Sequence, residues 1–177
     1  MRLILGVLVG LFLISCAEEE KVKVTMKEDV TVLADDTFNG RQTGTEGELK
    51  AAAYIEKRFK EIGLQPKGVS GLYTQTFTFK PSSNPHEQAE YTGSTSDSTL
   101  TGTNVLGFID NKGENTVVIG AHYDHLGMGG EGSLYREGAA IHNGADDNAS
   151  GVSVMLQVAE ELSGKKSNNN YLFIAFS

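Results

Sequence analysis

Val117-Val-Ile-Gly-Ala-His122-Tyr-Asp124-His125-Leu-Gly127 decides how this chain is read. An apolar run of strand length gives way there to a polar turn that opens on a histidine. Further on, Gly144-Ala-Asp146-Asp147-Asn148-Ala-Ser-Gly151 leads from an acidic, glycine-bounded turn into a helical pattern, with Val152, Met155, Ala159 and Leu162 on one face. Gly164 supplies the stop, and Tyr171 to Phe176 reads as another buried strand. Strand, loop, helix and strand in succession indicate an α/β layered fold. His122 falls beyond the carboxyl end of its strand, where open α/β sheets present their ligands.

The two turns carry side chains of the kind that bind metals. Asp124, two residues after His122, points the same way along extended chain and can accept the imidazole's other N–H, which fixes the tautomer of a metal-bound histidine. A lone His-x-Asp can equally well just end a strand. Asp146-Asp147-Asn148 is open to a similarly plain reading, because Asp and Asn bond their own backbone and cap helices. Two adjacent acids exceed what a cap needs, however, and a carboxylate can bridge two divalent ions about 3.5–4 Å apart. One acid can then be a ligand while its neighbour caps the helix.

Upstream, Thr45-x-x-Glu48 has the form of a capping box, and Ala52, Ile55, Phe59 and Ile62 continue at helical spacing up to Gly63 and Pro66. The pattern predicts a helix from about Glu46 to Ile62. Tyr73 to Lys80 alternates as a half-buried strand, and the Ser/Thr-rich residues 82–101 read as a surface loop or irregular edge hairpin. Val22 to Thr25 is at most a weak strand. Asn104 to Ile109 and Val117 to Ala121, separated by the turn Asn111-Lys-Gly113, suggest two paired strands, the second of them central.

The 177 residues suit one domain, with 39% hydrophobic and 21% charged residues and a formal charge of −8. That charge, with no dense Lys/Arg patch, argues against a nucleic-acid partner. Met1-Arg2 followed by apolar Leu3 to Ile14 and Leu13-Ile-Ser15-Cys16 has the organisation of a secretory signal and resembles a bacterial lipoprotein signal with its lipobox. The apolar run falls short of the ~20 residues that span a bilayer. The expected division is therefore a signal over 1–15, an acidic tether over 16–25 beginning at a lipidated Cys16, and a globular part over 26–177. The acidic residues after Cys16 also resemble surface-export signals, so the expected location is the bacterial cell envelope, at the outer membrane or cell surface rather than the inner membrane. Cys16 is the single cysteine, so the mature chain has no disulfide and no thiolate nucleophile. Nothing in the sequence sets an oligomeric state.

Together, Gly120-Ala-His122-Tyr-Asp124-His125-Leu-Gly and Asn143-Gly-Ala-Asp146-Asp147-Asn148-Ala-Ser-Gly closely resemble the co-catalytic di-zinc aminopeptidases of metallopeptidase family 28. Leu33-Ala-Asp-Asp-Thr-Phe-Asn-Gly40-Arg41-Gln-Thr-Gly44-Thr-Glu-Gly47, Gly63-Leu-Gln-Pro66 and Thr103-Asn-Val-Leu-Gly-Phe108 resemble that family's N-terminal half. The resemblance implies a three-layer α/β/α fold around a central twisted mixed sheet, binding two Zn2+ and acting on peptides. It makes His122 a terminal zinc ligand, Asp147 the bridging carboxylate and Asp124 the acid orienting His122. Asp146 would support the loop, His125 and His142 would line the cleft, and Gly40, Arg41 and Gly44 would form a structural turn.

The family pattern also needs a Glu-Glu pair after the strand at Tyr171 to Phe176, whose first member is the general base, and a further Asp and His. By that resemblance the general-base Glu lies beyond Ser177, the last residue. The sequence reads as truncated before these groups, and so as inactive alone. Within the family, aminopeptidase action is favoured over carboxypeptidase-like and cyclase-like activities. A non-catalytic peptide-binding lipoprotein on the same fold is the alternative of a different class. A serine hydrolase would need a Gly-x-Ser-x-Gly elbow, which the sequence lacks.

Overall fold

The computed structural model describes residues 24–82, 90–93, 96, 98–130 and 132–177; the lipobox and Cys16 lie outside them. The first element, helix α1 (Met26–Leu33), is not among the expected helices, because its eight residues are too few for a clear apolar period. Its signal is a capping box at Thr25 and Glu28, in which the Thr25 side chain accepts from the Glu28 N–H and the Glu28 carboxylate accepts from the Thr25 N–H.

Helix α2 (Glu46–Ile62) has the expected bounds. It ends at Gly63, whose φ of 90° is the left-handed conformation that closes helices and that glycine adopts without a Cβ penalty. Its start departs from the expected capping box. Thr45 accepts from the Glu48 N–H at 3.4 Å, but the Glu48 carboxylate turns inward instead of returning to Thr45. Fully buried, it accepts from the N–H groups of Gly44 and Thr103, both at 2.7 Å, and from the Tyr123 hydroxyl. Three donors compensate for burying a carboxylate that an exposed cap would leave in water.

The strands are β1 (Gln65–Pro66), β2 (Thr74–Lys80), β3 (Glu90–Thr92), β4 (Leu100–Ile109), β5 (Asn115–His122) and β6 (Asn169–Phe176). They form one mixed sheet in the order β3-β2-β4-β6-β5, with β1 alongside β4. β3 makes the edge hairpin with β2. The expected pairing of residues 104–109 with 117–121 is not found. β6 lies between the two strands, antiparallel to β4 and parallel to β5, and β5 ends the order among the described residues. A turn such as Asn111-Lys-Gly113 signals a reversal without specifying its partner, and here it docks on the start of β6. Asn111 and Gly113 donate their N–H groups to the Asn170 side chain, and the Asn111 amide donates to the Asn169 carbonyl.

Helix α3 (Ser150–Leu162) connects β5 to the parallel β6, as the strand-loop-helix-strand reading requires. Ile55 and Phe59 of α2, Val152 and Leu156 of α3, and Val105, Phe173 and Ala175 of the sheet form one core, with Leu33 of α1 beside them. Full burial of each such large side chain contributes about 1.5–3 kcal/mol. The described helices share this core on one side of the sheet, and on β5 and β6 Val118 and Phe176 remain 58% and 41% exposed. The α/β class and the mixed sheet agree with the sequence reading.

Candidate metal centre

β5 delivers His122 as its last residue, and the chain then dips inward at Tyr123, which is fully buried. The single Tyr123 hydroxyl proton is shared between the Thr103 carbonyl at 2.5 Å and the Glu48 carboxylate at 3.2 Å, and this anchors the turn from beneath. On either side of the anchor His122 and Asp124 emerge together. His122 Nδ1 lies 3.3 Å from Asp124 Oδ1, the contact that i, i+2 placement in extended chain allows. The second Asp124 oxygen accepts from the Thr43 hydroxyl at 3.1 Å.

Ser177 extends this chain of support. Directly after β6, it donates its N–H to the Asn104 side-chain oxygen and its hydroxyl to Thr43 Oγ1, both at 3.1 Å. The sequence reading used Ser177 only as the point beyond which the general-base glutamate is expected, and it missed this contact. Ser177 is thereby tied to Asn104 and Thr43. It places the carboxyl end of β6 beside Thr43 and Asp124, so residues following β6 would emerge at the site.

The acidic turn meets His122 and Asp124 from the other side. Between Gly144 and α3, a wide turn over Ala145–Ala149 is closed by the Ala149 N–H donating to the Gly144 carbonyl, and the Asp147–Asn148 peptide is cis. Asp147 has an extended backbone, with φ −115° and ψ 92°, which turns its carboxylate out of the helical path. Neither acid caps α3. Asn148 does so, its side-chain oxygen accepting from the Gly151 N–H at 3.0 Å, while Asp146 offers its carbonyl to the Ser150 hydroxyl. The short amide reaches back to the first helical turn, which leaves the Asp147 carboxylate without a capping role.

Asp147 Oδ1 stands 3.2 Å from His122 Nε2, and its other oxygen 3.7 Å from His125 Nδ1. Burial pulls the His125 imidazole below the ordinary histidine value, Asp147 opposes this, and Arg41 and His142 reinforce it. His142 is turned away, with Nδ1 on the Ala140 carbonyl at 2.8 Å and Nε2 on the Ser133 hydroxyl at 2.6 Å.

The donor set fits a zinc ion. A nitrogen and an oxygen each about 2.0–2.1 Å from a tetrahedral centre stand roughly 3.3 Å apart, close to the separation of His122 Nε2 and Asp147 Oδ1. Asp147 is 68% and His122 48% exposed, so both remain open to solvent. Among the described residues no cluster of three or more His, Cys, Asp or Glu side chains suited to a metal ion occurs, so His122 and Asp147 are only two of the three or four ligands that a stable zinc site needs.

How these turns are joined goes beyond the sequence reading. Arg41 is fully buried, and Nε donates to the Tyr123 carbonyl at 2.7 Å, Nη1 to Leu33 and Asn143 at 2.5 and 2.6 Å, and Nη2 to Gly144 at 2.9 Å. Gly40 beside it has a φ of 68°, and a Cβ there would stand 2.5 Å from the Gly127 carbonyl oxygen. The Gly40-Arg41 pair in a structural turn was the available signal; the carbonyls that it binds are not visible in a sequence.

The mixed sheet with its helices follows the α/β fold of solved Zn-dependent exopeptidases. Residues 104–177 match the model of peptidase family M28. The alkaline phosphatase isozyme conversion protein of Escherichia coli (strain K12) is 28% identical over 141 residues, covering 79% of this chain and 38% of that protein.

Among solved structures, the chain resembles a Zn-dependent exopeptidase from Parabacteroides distasonis (TM-score 0.60, 19% identity, 86% of this chain and 45% of that one). It also resembles a leucine aminopeptidase precursor from Bacteroides thetaiotaomicron (0.60, 16%, 85% and 45%) and the glutaminyl cyclase of Fimbriiglobus ruber (0.62, 18%, 86% and 44%). The chain thus spans less than half the length of each of these proteins.

Proposed function

We propose that this chain belongs to a zinc-dependent hydrolase of peptide bonds, with aminopeptidase action, to which it supplies His122 and Asp147 as ligands of a two-zinc centre. The observation that carries the proposal is the 3.2 Å approach of His122 Nε2 to Asp147 Oδ1 from two separate turns, both open to solvent. Asp124 accepts the His122 Nδ1–H and leaves the Nε2 lone pair directed into the site. Thr43 holds Asp124 in turn. Asp147, with one oxygen toward His122 and the other free of any cap, has the form of a bridging carboxylate. Zinc held there would supply Lewis acidity toward the scissile carbonyl and toward water. The remaining ligands and a glutamate general base are assigned to the part of the family's length that this chain does not span.

Cyclisation of N-terminal glutamine is the second reading, supported by the likeness to glutaminyl cyclases. Incubating the protein, at the length its gene encodes, with an aminoacyl-nitroanilide and with a glutaminyl peptide separates the two. Release of nitroaniline without pyroglutamate formation is expected, and the reverse result would replace aminopeptidase with cyclase. Lipidation of Cys16, with anchoring in the cell envelope, belongs to the same proposal and rests on the lipobox in the sequence.

A further inference from the structure

We propose that Arg41 is a positioning residue for the metal centre, a guanidinium clamp that sets the spacing of His122 and Asp147; the proposal rests on the zinc reading above. The carbonyls that Arg41 binds are distributed to that end. Tyr123 lies between His122 and Asp124, and Asn143 and Gly144 open the turn that carries Asp147. The fourth carbonyl, Leu33, fixes the clamp to the end of α1, which itself packs in the core.

The backbone of the same segment completes the joint, because Gly40 and Arg41 accept from the N–H groups of Gly127 and His125, at 3.0 and 3.2 Å. The Asn143 side chain adds an outer pin, donating to the Ala34 carbonyl and to Asp36 at 2.8 and 2.7 Å. Only arginine offers a planar fork of donors able to hold several carbonyls at once; a lysine ammonium is a single point.

The charge of the clamp works against the role of the site. A buried cation near His122 and Asp147 repels a divalent ion; Arg41 donates only to carbonyls, and Asp124 and Asp147 offset its charge through space alone. An electrostatic and a geometric role for Arg41 therefore predict opposite effects on metal affinity. Removing the charge alone would tighten zinc binding, whereas removing the clamp would loosen it.

The test is zinc affinity, measured by competition with a chromogenic chelator, on the protein at the length its gene encodes. Arg41→Lys keeps the charge and loses the fork, and Arg41→Gln loses both. In each folded variant zinc affinity should fall roughly 10–100-fold, the usual effect of removing support behind a ligand, and the absorption bands of the cobalt-substituted site should shift. A folded Arg41→Lys protein with wild-type affinity, or an Arg41→Gln protein that binds zinc more tightly, overturns the proposal, even if its thermal midpoint has dropped.

If neither Arg41 variant folds, Asn143→Ala carries the test. It should weaken zinc binding several-fold, on the order of the lower end of that range, and unchanged affinity would refute the clamp. If the wild-type protein binds no zinc, the zinc reading has failed and the clamp is judged by hydrogen exchange. Faster exchange of the His125 and Ala149 amides in Arg41→Lys supports it, and unchanged exchange contradicts it.

Discussion

Tyr123 Oη donates to the same Glu48 carboxylate that accepts the Gly44 N–H, so the turn carrying His122 and the start of α2 share one buried anion. The phenol and the carboxylate lie in the dry interior, and burial, followed by the Glu48 charge, raises the Tyr123 hydroxyl well above the ordinary tyrosine value. Tyr54, on α2, is raised as well, by burial first and then by its hydrogen bond to Asp29.

A folded-state pKa above the unfolded value, about 10 for tyrosine, contributes stability that is fully present below that pH and is lost as pH rises toward the folded values. Tyr54 and Tyr123 should thus stay protonated in folded protein, and urea midpoints should decline above about pH 10. Phenolate absorbance followed against pH, with and without urea, checks both statements. Full ionisation of all tyrosines near pH 10 in folded protein would contradict them.

A second prediction concerns α1. Arg58 of α2 reaches Asp29 at 2.9 Å with side-chain exposures of 5% and 2%, and Tyr54 donates to the same carboxylate at 2.6 Å. Removing one partner of a buried pair costs up to about 3–5 kcal/mol, and here Arg58 keeps Glu61 at 3.1 Å, which holds the loss toward the lower end. Asp29→Ala should lower the unfolding free energy by that amount, and the double variant Asp29→Leu/Arg58→Met should recover much of it. Denaturant titration of both proteins decides, and a double variant as unstable as the single would be the wrong result.

Much of this architecture is legible in the sequence, and the part that is not has physical causes. α2, α3 and the strand at Tyr171 to Phe176 follow from period and punctuation, because each buries a face large enough to impose one. α1 is too short for that. The order β4-β6-β5 depends on which edge a returning strand finds, and no residue of the Asn111-Lys-Gly113 turn encodes it. At the site, His122, Asp124 and Asp147 stand out by type and spacing. The clamp by Arg41 and the support of Asp124 through Thr43 and Ser177 depend on contacts between segments distant in sequence, and those appear only once the chain is folded.

Cys16 lies outside the described residues, and its lipidation is tested directly. Intact-mass analysis of the mature protein should show a diacylglyceryl addition at an N-terminal Cys16, and Cys16→Ser should accumulate as unprocessed precursor or leave the membrane fraction. An unmodified N-terminus generated elsewhere would remove the anchor from the account.

The central claim is that His122 and Asp147 hold zinc, with Asp147 between two ions and Asp124 behind His122. Zinc content and aminoacyl-nitroanilide turnover of Asp147→Asn and Asp124→Asn, in the protein at the length its gene encodes, test it most directly. Asp147→Asn should lose stoichiometric zinc together with turnover, whereas Asp124→Asn should retain zinc with a loss of roughly 10–100-fold in affinity or rate. An Asp147→Asn protein that keeps two zincs per chain and near-normal turnover would contradict the assignment and transfer the bridging role to Asp146.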